Sequence, residues 1–224
     1  KSTKSWFVLN PPKRKNNEII HPAKFPEELC EKFIKFFTKK GDLVFDPFLG
    51  LGSTTVASKL NRRSGIGIEL NEKYYNQAKR RVKRTNTFRD LRSFSNKNSG
   101  NSKLFFDIVN GDSQELEKIW YEKKYPNIDL CLTSPPYWDQ LQESSLRQLE
   151  RHESGLDTNY GNKKNDLGNI KDYREFVKKQ KGIFQKIYKI SKKNAHLVLI
   201  TNNIYKNSRM YTLAVETMLT PQDI

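Results

Sequence analysis

The apolar run Ile128–Leu132 ends in Thr133-Ser134-Pro135-Pro136-Tyr137-Trp138. Two consecutive prolines remove two backbone donors and force an extended path, so strand pairing must stop there. What remains is a rigid rim with a hydroxyl, free carbonyl acceptors and an aromatic face. Those groups can grip a flat ring that carries an amino group; the ordinary alternative is a strand end and a proline turn. A second such stretch is Asp46-Pro47-Phe48-Leu49-Gly50-Leu51-Gly52-Ser53-Thr54-Thr55. Its glycines allow a tight turn and close ligand approach at a helix N-terminus. The turn lacks the third glycine of a dinucleotide fingerprint and the Gly-Lys-Ser/Thr of a triphosphate loop, so its ligand need not carry phosphate. Glu69 follows 17 residues after Gly52, where a carboxylate can accept from both hydroxyls of a ribose. Asp112, in Asn110-Gly111-Asp112-Ser113, could accept from an adenine amino group. Alone, each acid reads as a surface residue or helix cap. Together, three successive strand ends bearing Gly-x-Gly, Glu and Asp describe an adenosine pocket.

These residues need a scaffold that brings several strand ends to one edge. Strands are expected at 43–46, 65–70, 105–109 and up to Ser134, with a fully buried strand at 195–201. Helices are expected at 26–37, 53–60, through Tyr74–Val82, at about 172–190, and at 211–219. Alternating strands and helices predict an α/β, doubly wound, mostly parallel sheet in a single domain over residues 1–224. Two stretches break the alternation. The first is a basic segment that begins at the helix end and continues through a loop at 85–103. Its Arg80, Arg81, Lys83, Arg84, Arg89 and Arg92 could track a phosphate backbone, or simply form a solvated helix end. The second, a polar insertion at 139–171, is long enough to be a lid or binding element.

A total of 41 Lys+Arg against 25 Asp+Glu gives a formal net charge of +16. That excess favours a polyanionic partner, since phosphate contacts release counterions; a generally lysine-rich host is the competing explanation. Two cysteines, Cys30 and Cys131, sit in apolar settings. They read as buried thiols of a reducing compartment, and no metal-ligand spacing is present. With no signal peptide or transmembrane run, a cytoplasmic protein without membrane association is expected.

Four segments in order resemble the bacterial S-adenosylmethionine-dependent DNA amino-methyltransferases, which modify cytosine N4 or adenine N6. They are His21-Pro22-Ala23-Lys24-Phe25-Pro26, the turn from Asp46 to Thr55, Gly67-Ile68-Glu69-Leu70-Asn71 and Thr133-Ser134-Pro135-Pro136-Tyr137. The resemblance implies a Rossmann-like methyltransferase fold with S-adenosylmethionine as cofactor. Pro22, Lys24 and Phe25 would close the methionine end, and Asp46, Phe48, Gly50, Gly52, Ser53 and Thr54 would line the cofactor. Glu69 would hold the ribose, with Asp112 and Ser113 near the adenine. Catalysis would rest on Ser134, Pro135, Pro136 and Tyr137, with Tyr137 stacked on a flipped base and Trp138 beside the DNA. Serine at the first position of that motif looks like the cytosine-N4 branch, with adenine N6 the alternative. The partner implied is double-stranded DNA, within a restriction-modification or related system.

The motif order is permuted relative to many relatives. The chain also reaches Ile224 soon after its fifth expected strand, so the final antiparallel hairpin of the family sheet is expected to be missing. A partner subunit or a missing segment could supply it. Rival readings are methylation of RNA or of a protein glutamine, a non-catalytic nucleic-acid-binding subunit, and a nicotinamide-dependent oxidoreductase, the last disfavoured by the glycine spacing. No role is assigned to the segment Asn202–Arg209.

Overall fold

The computed structural model describes residues 26–85, 104–138 and 165–219. Strands β1 (Leu43–Asp46), β2 (Ser64–Glu69), β3 (Phe106–Asn110), β4 (Ile128–Thr133) and β5 (Ser191–Leu199) form one sheet in the order β3-β2-β1-β4-β5. Every pairing within it is parallel. Helices α1 (Glu27–Phe37), α2 (Ser53–Leu60) and α3 (Glu72–Arg84) cover one face, while α4 (Leu116–Lys123) and α5 (Tyr173–Lys189) cover the other.

The two-residue period of a strand explains how both faces are filled. Val44, Leu130 and Leu132 pack with Cys30, Ile34 and Ala57 on the α1 side. Phe45, Ile66, Ile68, Ile128 and Cys131 join Trp120, Phe176 and Ile183 on the other. In β2 the alternation is isoleucine on one face and glycine on the other. A Cβ at Gly67 would come within 2.5 Å of Leu49 Cδ2, so the bare strand lets the turn after β1 fold down onto the sheet. Helix α5 follows the sequence expectation closely. Asp172 caps it by accepting from the Glu175 N–H at 2.7 Å, and Phe176, Ile183, Phe184 and Ile187 form its buried stripe.

This strand order reverses direction between β1 and β4. In open α/β sheets the crevice at such a switch point, beyond the carboxyl ends of the strands, is where ligands sit. Here the two flanking turns are Asp46–Gly52 and Ser134–Trp138.

Two expectations for the last strand of the sheet need correction. The last strand of the sheet begins at Ser191 rather than Ala195, and it is largely half-exposed instead of fully buried. As an edge strand among the described residues it tolerates the polar stretch Ser191–Asn194, and its register with β4 shifts between Ile128 and Leu130. The segment Asn202–Arg209, to which sequence assigned no role, leads into an antiparallel hairpin of β6 (Ile204–Lys206) and β7 (Arg209–Tyr211). Asn207 and Ser208 take positive φ at its tip, as a tight two-residue hairpin turn demands. This hairpin is separate from the five-stranded sheet, and helix α6 (Leu213–Leu219) follows it. Among the described residues no helix is long and apolar enough to cross a membrane, and no cluster of His, Cys, Asp and Glu could hold a metal ion.

Candidate active site

Asp46 ends β1 and is fully buried. Its Oδ1 accepts from Thr133 Oγ1 at 2.6 Å and from the Phe48 N–H at 3.0 Å, and its Oδ2 accepts from Thr54 Oγ1 at 2.7 Å. One carboxylate therefore ties the last residue of β4, the turn after β1 and the first turn of α2. Burial pushes its pKa up to about 6, and the hydrogen bonds from Thr133, Thr54 and Phe48 oppose that rise. Asp46, Gly52 and Thr54 were expected to line the cofactor. They sit behind the wall instead, because the carboxylate's partners are all protein groups and Thr54 is buried with it. Gly52 has φ +83°, and a Cβ there would lie 3.0 Å from Ala78 Cβ, so its role is to let α2 close on α3.

A cleft open at its mouth lies at the switch point. Phe48, Gly50 and Ser53 line it from the turn, Glu69 and Asn71 from the end of β2, and Asp112 and Ser113 from the end of β3. Ser134 and Pro136 line the same cleft from the end of β4. Glu69 Oε2 accepts from the Gly50 N–H and Oε1 from the Asn71 N–H, each at 2.7 Å. Each oxygen keeps a lone pair for a ligand hydroxyl. Burial pushes the Glu69 carboxyl up to about 7, against the pull of those two N–H bonds. Asp112 caps a short 3-10 turn through Gln114 and accepts from Asn165 Nδ2 at 2.7 Å. Ser113 lines the cleft, but its hydroxyl donates to the Pro47 carbonyl and so braces the turn.

The rim is wired by hydroxyls. Ser134 Oγ and Tyr137 Oη are 2.8 Å apart, and the Tyr137 hydroxyl reaches the Ile200 carbonyl at 3.4 Å. A phenol has one hydrogen. With that hydrogen on Ile200, Ser134 must donate to Tyr137, and both serine lone pairs remain available as acceptors. Pro135, between them in the chain, is buried.

The other expected residues divide clearly. Pro22, Lys24, Phe25, Arg89 and Arg92 lie outside the described residues, as does most of the insertion at 139–171. Arg81 does not face solvent phosphate: its guanidinium donates to the Leu51 carbonyl and pairs with Glu27, which also accepts from Ser53 Oγ at 3.1 Å. It clamps α1, α3 and the glycine turn together. Arg80, Lys83 and Arg84 are exposed. Helix α3 starts beside the end of β2 and returns to the opposite edge of the sheet, so Arg84 stands roughly 18 Å along the axis from Glu72, away from Ser134. Trp138 is buried, not available to DNA, because its indole is packed against Tyr173 and Tyr211. Sequence reasoning missed Asn165, Asp166, Leu167 and Ile183, which complete the cleft wall. The available signal was the Asp166 side chain capping Gly168 at 2.9 Å, an Asp-x-Gly pattern at the end of the polar insertion.

Residues 1–80 match the family profile of the N6/N4 DNA methylases. An 81-residue stretch is 46% identical to the orphan methyltransferase M.BamHII of Bacillus amyloliquefaciens, covering 35% of this chain and 31% of that protein. A 66-residue stretch is 44% identical to the type II methyltransferase M.HpaI of Haemophilus parainfluenzae, covering 30% and 21%. The chain thus spans only about a fifth to a third of the length of these curated relatives. A solved structure described as an rRNA-methylase from Clostridium thermocellum superposes with a TM-score of 0.50 at 14% identity, covering 90% of this chain and 84% of that one. The fold is the Rossmann-like methyltransferase fold. The sequence matches support an amino-methyltransferase affiliation.

Proposed function

We propose that this chain transfers a methyl group from S-adenosylmethionine to the exocyclic amine of a base flipped out of duplex DNA, cytosine N4 in preference to adenine N6. The observation that carries this reading is a single cleft shared by Glu69, Gly50 and Ser134. The residues present fit the cofactor: a carboxylate with open lone pairs for a ribose, a bare glycine backbone, and apolar walls from Phe48, Leu49, Leu70 and Ile183. When bound, S-adenosylmethionine supplies an electrophilic methyl on its sulfonium.

An exocyclic amine is a weak nucleophile because its lone pair is delocalised into the ring. With its own hydrogen given to Tyr137, Ser134 Oγ accepts a hydrogen bond from one amine hydrogen and the Pro135 carbonyl accepts from the other; the proton shed by the methylated nitrogen passes to water. Holding both hydrogens favours a pyramidal nitrogen whose lone pair points into the cleft. Pro136 keeps the rim extended, and the ring of Tyr137 supports the base face. Reaching such a rim requires an unstacked base. Serine at the first motif position supports cytosine. The net charge of +16 favours a nucleic-acid substrate, and a restriction-modification or related system is the setting this reading implies. Incubation with methyl-labelled cofactor and mixed-sequence duplex DNA, followed by nucleoside analysis, should reveal N4-methylcytosine. N6-methyladenine alone would overturn the choice of base; no labelled nucleoside would overturn the reading itself.

The raised pKa of Glu69 gives a pH signature. A carboxyl lifted from its ordinary 4.5 to about 7 favours the ligand-free fold below the ordinary value, and that contribution is lost as pH rises through about 7. Ribose hydroxyls donate to the ionised form, so cofactor binding runs the other way. Affinity should increase as pH rises through about 7, with a proton released on binding. Calorimetry in buffers of different ionisation enthalpy measures that proton. Glu69→Gln should remove both the release and the pH dependence.

A further inference from the structure

Trp138 is the residue immediately after the rim, and its backbone takes φ +51°. That conformation is unfavourable for a bulky side chain and persists only where the surroundings over-determine it. The indole is 5% exposed and occupies a socket built from two distant parts of the chain. Tyr173, the first residue of α5, meets it edge-on at 5.2 Å between ring centroids, and Tyr211 of β7 meets it at 5.0 Å. The two tyrosines touch each other at 4.8 Å. Lys206 of β6 places its ammonium 4.8 Å from the indole centroid, within range of a cation–π attraction. The indole N–H has no acceptor among the described residues. The ring is therefore held by packing and by the lysine, in spite of an unpaired donor and a strained backbone.

Both unfavourable features sit one residue from the Ser134–Tyr137 hydroxyl pair. Strand β4 ends at Thr133, and two prolines follow without backbone donors, so no sheet hydrogen bond from Pro135 or Pro136 can fix the rim. Its near end is pinned through Thr133 to Asp46. Its far end has the long Tyr137–Ile200 contact and the indole. We infer that Trp138 is a positioning residue: its seat between α5 and the β6–β7 hairpin holds Ser134 and Tyr137 in the acceptor geometry that transfer requires. This rests on the methyl-transfer reading and gives the hairpin a task, as the outer wall of the socket.

The test compares Trp138→Ala and Trp138→Phe in the full chain. Trp138→Ala should lower kcat on duplex DNA by about 10- to 100-fold, while cofactor affinity and KM for DNA stay within about threefold. Trp138→Phe keeps an aromatic ring in the socket and should recover kcat to within about threefold of wild type. Amide exchange at Thr133, Ser134 and Tyr137 should rise in the alanine variant and not in the phenylalanine variant. Tyr211→Leu, which opens the socket from the hairpin side, should show the same split between kcat and KM and serves if Trp138→Ala does not fold. Wild-type kcat in Trp138→Ala, or a phenylalanine variant as impaired as the alanine one, would overturn the inference. If the wild-type chain transfers no methyl group, the functional reading fails, and amide exchange decides the positioning claim separately: unchanged exchange at the rim in Trp138→Ala rejects it.

Discussion

Ser134→Ala should cut methyl transfer by about 10²- to 10³-fold and leave cofactor affinity within about twofold of wild type. The split follows from what the hydroxyl touches. Ser134 lines the cleft, yet its hydroxyl's only hydrogen-bond partner among the described residues is Tyr137 at 2.8 Å. Alanine leaves the Tyr137 hydroxyl on the Ile200 carbonyl and removes no contact to Glu69 or Gly50. The loss falls on the acceptor that the amine meets as its nitrogen pyramidalises, an interaction strongest in the transition state. Steady-state kinetics with labelled cofactor, alongside calorimetric titration of S-adenosylhomocysteine, separates the two quantities. A parallel loss of cofactor binding would make Ser134 a structural residue.

Asp46→Ala should have the largest effect on the fold, about 3–5 kcal/mol of unfolding free energy. The carboxylate satisfies three donors in a dry interior: the Thr133 and Thr54 hydroxyls and the Phe48 N–H. Removing it strands the Thr133 hydroxyl and the Phe48 N–H and leaves the Thr54 hydroxyl only the longer contact to the Leu132 carbonyl at 3.4 Å, and an unpaired buried donor costs about 1–3 kcal/mol before relaxation. The damage also reaches the site, since Thr133 precedes Ser134 and Phe48 lines the cleft. Asp46→Asn keeps the shape and one acceptor, and a hydroxyl can turn to accept from the new amide. It should cost about half as much or less. Urea melts of the two variants measure the difference. Equal stability of wild type and Asp46→Ala would contradict the role assigned to this carboxylate.

Local chemistry was legible wherever neighbours in sequence are neighbours in space. The limits of β1 at Leu43–Asp46 and α2 at Ser53–Leu60 follow from an apolar run, two glycines and a serine-threonine start. Glu69 at the end of β2 and Ser134 after β4 follow from the same local logic, and parallel pairing brings both to one edge. What could not be read was partnership across the fold. Arg81 looks like any other member of a basic run until Glu27, 54 residues away, takes its charge. Trp138 looks like an exposed aromatic until Tyr173 and Tyr211 close over it. Asp46 was recognised as part of the motif, but its burial depends on Thr133, 87 residues on. The edge position of β5 was hidden for a related reason, because an apolar run does not say how many neighbours the strand has.

Methyl transfer requires the cofactor cleft and the Ser134 rim to be one site. The most direct measurement is a crystal structure of the full chain with S-adenosylhomocysteine. The ribose hydroxyls should lie on the Glu69 carboxylate, the adenine between the turn after β1 and Asp112, and the sulfur should face Ser134 Oγ. A ligand bound with its sulfur turned away from Ser134, or bound outside the cleft altogether, would contradict the account.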